Sequence, residues 1–171
     1  MKQNLKASIV KIVGWKQLAH ECDKLNALPW YLPKVAATGA QIVEAERCMG
    51  KPFSAPYREF LTLANGWKGF IVSTDLFGTE DFQSGRALAV RNRPDVQEYM
   101  SSLELAERDV IPIGASDADM DVFLLISESS PERQGEVLWL AGFEIDKFKD
   151  FQDFFESMVN YNADLAKNMK L

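Results

Sequence analysis

The stretch that most constrains the fold runs from Phe53 to Phe70, where a helical pattern stops and an extended one begins. Tyr57, Phe60, Leu61 and Ala64 recur at the spacing of one helical face. Ser54 stands at the N-cap position, and Pro56 falls in the first turn, where its missing N–H is no loss. Asn65-Gly66 supplies the stop, because both residues tolerate the left-handed conformation that closes a helix. Beyond it, Trp67 and Phe70 bracket a turn leading into a β-type run, Gly69 to Ser73. The stretch therefore builds a helix and turns it into a sheet. None of its side chains proposes a reaction.

Upstream of this switch the pattern is helical. Leu5, Ile9, Ile12 and Val13, then Leu18, Cys22 and Leu25, repeat with helical period and a break near Gly14-Trp15, which predicts one broken helix or two short ones. The segment Leu28-Pro29-Trp30-Tyr31-Leu32-Pro33 cannot be helical throughout, since each proline pushes its predecessor towards extended geometry. It reads as an aromatic-bearing connector. Thr38 with Gln41 three residues on forms a capping-box pattern ahead of Ile42, Ala45 and Met49, a helix ended by Gly50 and Pro52.

Downstream the pattern is mostly extended, with apolar runs at Phe70 to Val72, Ala87 to Val90, Val110 to Ile113, Val122 to Ile126 and Val137 to Leu140. One helix, from Pro94 to Ala106, interrupts them. Val122 to Ile126 is apolar throughout, as a central strand covered on both faces would be, and the polar turn Ser129 to Gly135 joins it in a hairpin to Glu136 to Leu140. Phe151, Phe154, Phe155, Met158, Val159 and Asn162 mark a C-terminal helix whose tail, Lys167 to Leu171, is expected to fray. Helices, then strands with one helix inserted, then a helix make an α+β signature. With 171 residues, 47% of them hydrophobic, the chain suits one domain with ample core: a central, mostly antiparallel sheet flanked by N-terminal helices and a C-terminal helix.

The early apolar run Ala7 to Trp15 is interrupted by Lys11 and lacks a small-residue cleavage site, so neither a signal peptide nor a membrane span is expected, and the default location is the cytosol. Cys22 and Cys48 are far apart, with no CxxC and a single histidine, His20, which favours neither a disulfide framework nor a zinc site. Both cysteines read as buried small hydrophobes. The net charge of -6 hides an asymmetry: residues 1 to 68 carry ten Lys/Arg against five Asp/Glu, net +5, and residues 69 to 171 carry nine against twenty, net -11. The acidic part points away from nucleic acid and towards a basic partner, if there is a charged partner at all; from charge alone, ordinary solubility is the favoured reading.

The most metal-like feature is Asp117-Ala-Asp-Met-Asp121, followed by Glu128, which reproduces the ligand spacing of a calcium loop. Two facts count against it: the glycine position of such a loop is Val122, and Phe123 to Ser127 read as a buried strand. Paired carboxylates for glycoside hydrolysis need two acids held across a sugar, which spacing does not establish. His20 lacks a Ser or Cys nucleophile setting. There is no GxGxxG, GxxxxGK[ST], GxSxG or HExxH. Lys2, Lys6, Lys11, Lys16 and Lys24 suggest either a basic amphipathic helix or, the better reading, a solvated helix face. Trp67, Phe70 and Phe77, interleaved with Asp75, Glu80 and Asp81, suggest an aromatic and acidic patch, with core burial claiming at least half of the aromatics.

Several of these segments together carry a family resemblance. Glu44-x-Glu46 through Met49-Gly50, Pro56-Tyr-Arg-Glu-Phe-Leu61 and Asn65-Gly66 resemble the signature of the SUKH superfamily, which includes fungal regulators of cell-wall synthesis and many bacterial immunity proteins. Val110-Ile-Pro-Ile-Gly114 resembles its strand ending in glycine, Met120-Asp121-Val-Phe-Leu-Leu its central strand, Gly135-Glu-Val137 the next, and Asp150-Phe-x-Asp-Phe-Phe155 its closing helix. The similarity spans residues 38 to 160, with residues 1 to 37 a helical extension. Members often place glycine before the acidic residue where this chain has Met120-Asp121.

The resemblance implies an α+β domain without catalysis or cofactor. Its bacterial members are similar to cytosolic antitoxins that block a toxin domain, and the acidic part of the chain would complement a basic nuclease or similar effector. The leading expectation is thus an immunity protein occluding a toxin's active surface, with no role for nucleic acid or membrane. Its contact would involve Asp75, Glu80, Asp81, Asp117, Asp119 and Asp121, with Trp67, Phe70 and Phe77 as apolar anchors. The alternatives are a regulatory adaptor for signalling or cell-wall enzymes, and a hydrolase or calcium-binding module using the Asp117 to Asp121 loop.

Overall fold

The structure is a computed structural model and describes residues 4–28, 30–127 and 130–169. Among these residues the chain forms α1 (Leu5–Cys22), α2 (Gly39–Met49), α3 (Ala55–Leu63), β1 (Trp67–Ile71), β2 (Thr74–Leu76), α4 (Thr79–Gln83), α5 (Arg86–Arg91), α6 (Pro94–Ser102), a 3-10 turn (Glu107–Asp109), β3 (Val110–Ser116), β4 (Asp121–Ile126), β5 (Val137–Ala141), β6 (Glu144–Phe148) and α7 (Phe151–Asn168). The six strands make one antiparallel sheet in the order β1-β2-β3-β4-β5-β6, each paired only with its neighbours in sequence. The architecture is α+β, with helices at both ends of the chain packed around the sheet. Lys2, Pro29, Glu128, Ser129 and the end of the frayed tail, Lys170-Leu171, lie outside the described residues.

Local chemistry accounts for most boundaries. Thr38 and Gln41 form a reciprocal capping box at the start of α2, and Gly50, at φ 75°, closes the helix. Asp150 caps α7 by accepting the Asp153 N–H. All seven residues of β3 and five of the six in β4 are buried, which puts these two strands at the centre of the molecule. Along one face of the sheet, Phe154 of α7 meets Phe70, Phe123 and Phe148 at ring separations of 6.1, 4.9 and 5.4 Å. Leu5 and Ile12 of α1 belong to the same continuous core, and α1 lies along α7.

Several expectations need correcting. Ala87 to Val90 is not a strand but part of α5: Ala87 and Val90 turn inward three residues apart while Leu88 stays exposed, a helical pattern that a run of four apolar residues conceals. α1 is continuous through Gly14-Trp15 and ends at Cys22, where Asp23 accepts the Leu28 N–H at 2.7 Å. Trp67 and Phe70 bracket no turn; both lie in β1, which starts one residue after the stop. Of the stop residues only Gly66 takes a positive φ, 86°. Cys48 is exposed and Cys22 half-buried, so neither is a core hydrophobe. Lys16, expected on a solvated face, is buried and donates from Nζ to the Gly69 carbonyl at 2.5 Å. β2 and β6 were not legible, the first being three residues long and the second a polar edge strand.

Candidate functional site: the turn end of the sheet

A strictly sequential antiparallel sheet reverses at alternate ends, so its first, third and fifth turns share one end. Here these are Val72-Ser73, Asp117–Met120 and Gly142-Phe143. Side-chain contacts weld the first two: Ser73 Oγ donates to Asp119 Oδ2 at 2.5 Å, and Ser116 Oγ donates to Ser73 Oγ at 3.1 Å. The third packs on the second, since a Cβ at Gly142 would stand 3.1 Å from Met120 Cε. Each turn presents one large apolar side chain to solvent: Val72 is 45% exposed, Met120 48% and Phe143 67%.

The acidic residues surround these knuckles. Arg86, held between the sheet and α4, gathers three of them: its Nη1 lies 3.1 Å from Asp75 and 3.0 Å from Asp81, and its Nη2 lies 2.9 Å from Asp117. The guanidinium also rests over the Phe77 ring at 4.9 Å. Asp75 accepts the Gly69 N–H and Asp81 accepts the Gly78 N–H, so both are also bound into the fold. Three carboxylates on one guanidinium leave a local charge of about -2. Lys34 and Lys68 line the hollow of 360 Å³ beside this cluster, and Lys34 pairs with Glu80 at 2.8 Å.

Asp119 and Asp121 form a second acidic group. Burial works against the Asp119 charge, but hydrogen bonds from Ser73 and the Asp121 N–H outweigh it and hold its carboxyl below the usual range. Burial, reinforced by the neighbouring Asp119, pushes the Asp121 carboxyl up, although Trp139 Nε1 donates to it at 2.5 Å. Between this pair and α7 lies a hollow of 310 Å³ walled by Val72, Trp139, Tyr161 and Leu165. Asp117, Asp119 and Asp121 thus face Arg86, Ser73 and Trp139 respectively, and among the described residues no three acids, histidines or cysteines gather as metal ligands.

All six predicted acids therefore lie in one region, around the β1–β2 hairpin and the β3–β4 turn. The three predicted aromatic anchors do not reach its surface, and that expectation is corrected. Trp67 is buried and donates Nε1 to the Tyr31 carbonyl at 2.8 Å; Phe70 packs on Phe154 and Phe155; Phe77 is enclosed, its carbonyl accepting the Tyr57 hydroxyl at 2.9 Å. The apolar surface is supplied instead by Val72, Met120 and Phe143, which sequence reasoning missed. Their signal was available as single large apolar residues inside otherwise polar turns, Asp-Met-Asp and Gly-Phe-Glu. Arg86, the cation organising the acids, carried no such signal.

A sequential six-stranded sheet, backed by terminal helices and ending in a face of apolar knuckles set among acids, describes an α+β domain suited to contact with another protein. The chain belongs to the SMI1 / KNR4 family (SUKH-1), whose family model matches residues 36–158. No curated protein gives a match. No helix among the described residues is long and apolar enough to cross a membrane.

Proposed function

We propose that this protein is a non-catalytic, cytoplasmic immunity protein that binds a basic toxin domain and occludes its active surface through the turn end of the sheet. The observation that carries the reading is the coincidence of three exposed apolar side chains, one per turn, with the two acidic groups around them. Apolar anchors ringed by charge are the usual anatomy of a specific protein contact. The acids would steer a cationic partner and fix its orientation, while Val72, Met120 and Phe143 would supply the desolvated centre. Family membership supports the same reading, since domains of this kind mediate protein contacts in toxin-immunity systems.

The test is to ask whether a large toxin gene adjoins the gene for this chain and, where one does, to co-purify the full chain with that toxin's C-terminal domain and measure binding by calorimetry. Phe143→Ser and Met120→Ser should each weaken binding roughly tenfold or more, with melting temperatures unchanged because both side chains are exposed. Binding that ignores both changes removes the turn end from the interface. Recovery of several cellular enzymes and no toxin would point instead to a regulatory adaptor.

A further inference from the structure

The second acidic group differs from the first in what holds it. Arg86 sits inside the first, within 3.1 Å of Asp75, Asp81 and Asp117. Asp119 and Asp121 have no such cation: among the described residues no lysine or arginine forms an ion pair with either. Arg93, whose charge reaches Asp121, is committed to Asp95 at 2.6 Å and to the Met120 carbonyl at 3.1 Å. The two acids are nonetheless held side by side, the Asp121 N–H donating to Asp119 Oδ1 at 3.0 Å, and burial, reinforced by Asp119, pushes the Asp121 carboxyl up.

Both acids line the one hollow of 310 Å³ whose other walls include Val72, Trp139, Tyr161 and Leu165. Trp139 and Tyr161 meet edge to face, their ring centres 5.1 Å apart at 75°, so the hollow is bounded by rings in two orientations. Each ring is fixed at its polar tip: Trp139 Nε1 donates to Asp121 Oδ1 at 2.5 Å, and the Tyr161 hydroxyl donates to Asp146 Oδ2 at 3.0 Å. A space of this size lies at the lower limit for a small-molecule pocket, about 300 Å³, and suits a single side chain. Val72 and Tyr161 are exposed, which leaves the hollow open to solvent beside the first turn.

Two carboxylates, two aromatic rings and aliphatic side chains around one space match one kind of occupant. A planar guanidinium stacks on rings and offers a fork of N–H donors to carboxylates, while its methylene stem suits aliphatic walls; a compact ammonium does only part of this. We propose that this hollow receives an arginine side chain of the protein partner. A bare metal ion is the poorer fit, since the hollow is walled largely by apolar side chains, and among the described residues no third acid, histidine or cysteine completes a ligand set. The proposal rests on the reading of the turn end as the contact surface, and narrows it from a general attraction of charge to one inserted residue. Val72 belongs both to the apolar knuckles and to this hollow.

The test is a titration of the isotopically labelled full chain with N-acetyl-arginine methylamide, followed by NMR at the Trp139 indole N–H, which is assigned by its loss in Trp139→Phe. Saturable shifts with a Kd of about 1 to 10 mM are expected, and the uncharged citrulline analogue should bind roughly fivefold more weakly or worse. That comparison needs no variant. Asp121→Asn, which keeps an acceptor for Trp139, and Asp119→Asn should each weaken binding roughly fivefold, whereas Glu44→Gln on α2 should leave it intact; melting temperatures verify that the variants fold. The proposal is overturned by the lack of a saturable shift up to about 50 mM, by citrulline or lysine analogues that bind as tightly as arginine, or by indifference to both aspartate changes. A toxin domain that binds through Met120 and Phe143 while the arginine amide leaves Trp139 unmoved removes the hollow and keeps the contact surface. Arginine binding in the hollow without any toxin contact at the turn end removes the immunity reading instead.

Discussion

Asn65 shows how a residue legible for one reason acts for another. Its sequence context marks a helix stop, yet it does not adopt the left-handed conformation; its buried side chain donates from Nδ2 to Thr79 Oγ1 at 2.9 Å and accepts the Thr79 N–H at 2.7 Å. It thereby ties the end of α3 to the start of α4, which no local pattern encodes. Asn65→Ala leaves the buried Thr79 groups unpaired and should cost about 2 to 3 kcal/mol in urea denaturation, whereas a mere stop signal would cost a few tenths. Lys16 gives a second residue-level expectation. Burial lowers its folded-state pKa to about 8 from the ordinary lysine value of 10.5. Between those values the unfolded chain holds more protons than the folded one, so stability rises with pH across that window, having carried the full penalty below it. Thermal melts from pH 7 to 10 should show this rise in the parent protein and a flatter profile in Lys16→Met.

At the scale of elements, legibility follows how locally each one is specified. The capping box of α2, the continuous apolar run of β4 and the aromatic face of α7 are written in adjacent residues, and all three are present. α5 is not written in adjacent residues, because its inward pair, Ala87 and Val90, is fixed by packing on β3, about twenty residues downstream. The candidate face was legible in its acids and not in its anchors, because exposure depends on which side of the sheet the helices cover. The β1–β2 hairpin adds a testable strain. Val72 holds φ at 50°, a region that a β-branched residue enters at a cost. Val72→Asn should raise stability by about 1 kcal/mol, measured by chemical denaturation, since asparagine tolerates that conformation. If the turn end is the contact surface, the same change weakens partner binding.

For the whole molecule, Asp75, Asp81, Asp117, Asp119 and Asp121 gather at the turn end of the sheet, with Arg86 set among the first three. Such a field orients an approaching basic protein before contact. If the partner is a basic toxin domain, stopped-flow association should slow several-fold between about 50 and 300 mM salt, with dissociation far less affected. The sequential strand order has a further consequence, which concerns synthesis. Every strand pair can close as soon as its second member leaves the ribosome, because no strand waits for a distant partner. α1 precedes α7 by more than a hundred residues yet lies along it, so the side of α1 that faces α7 stays uncovered until α7 has been made. The first helix is thus the segment that a nascent-chain chaperone would find uncovered longest.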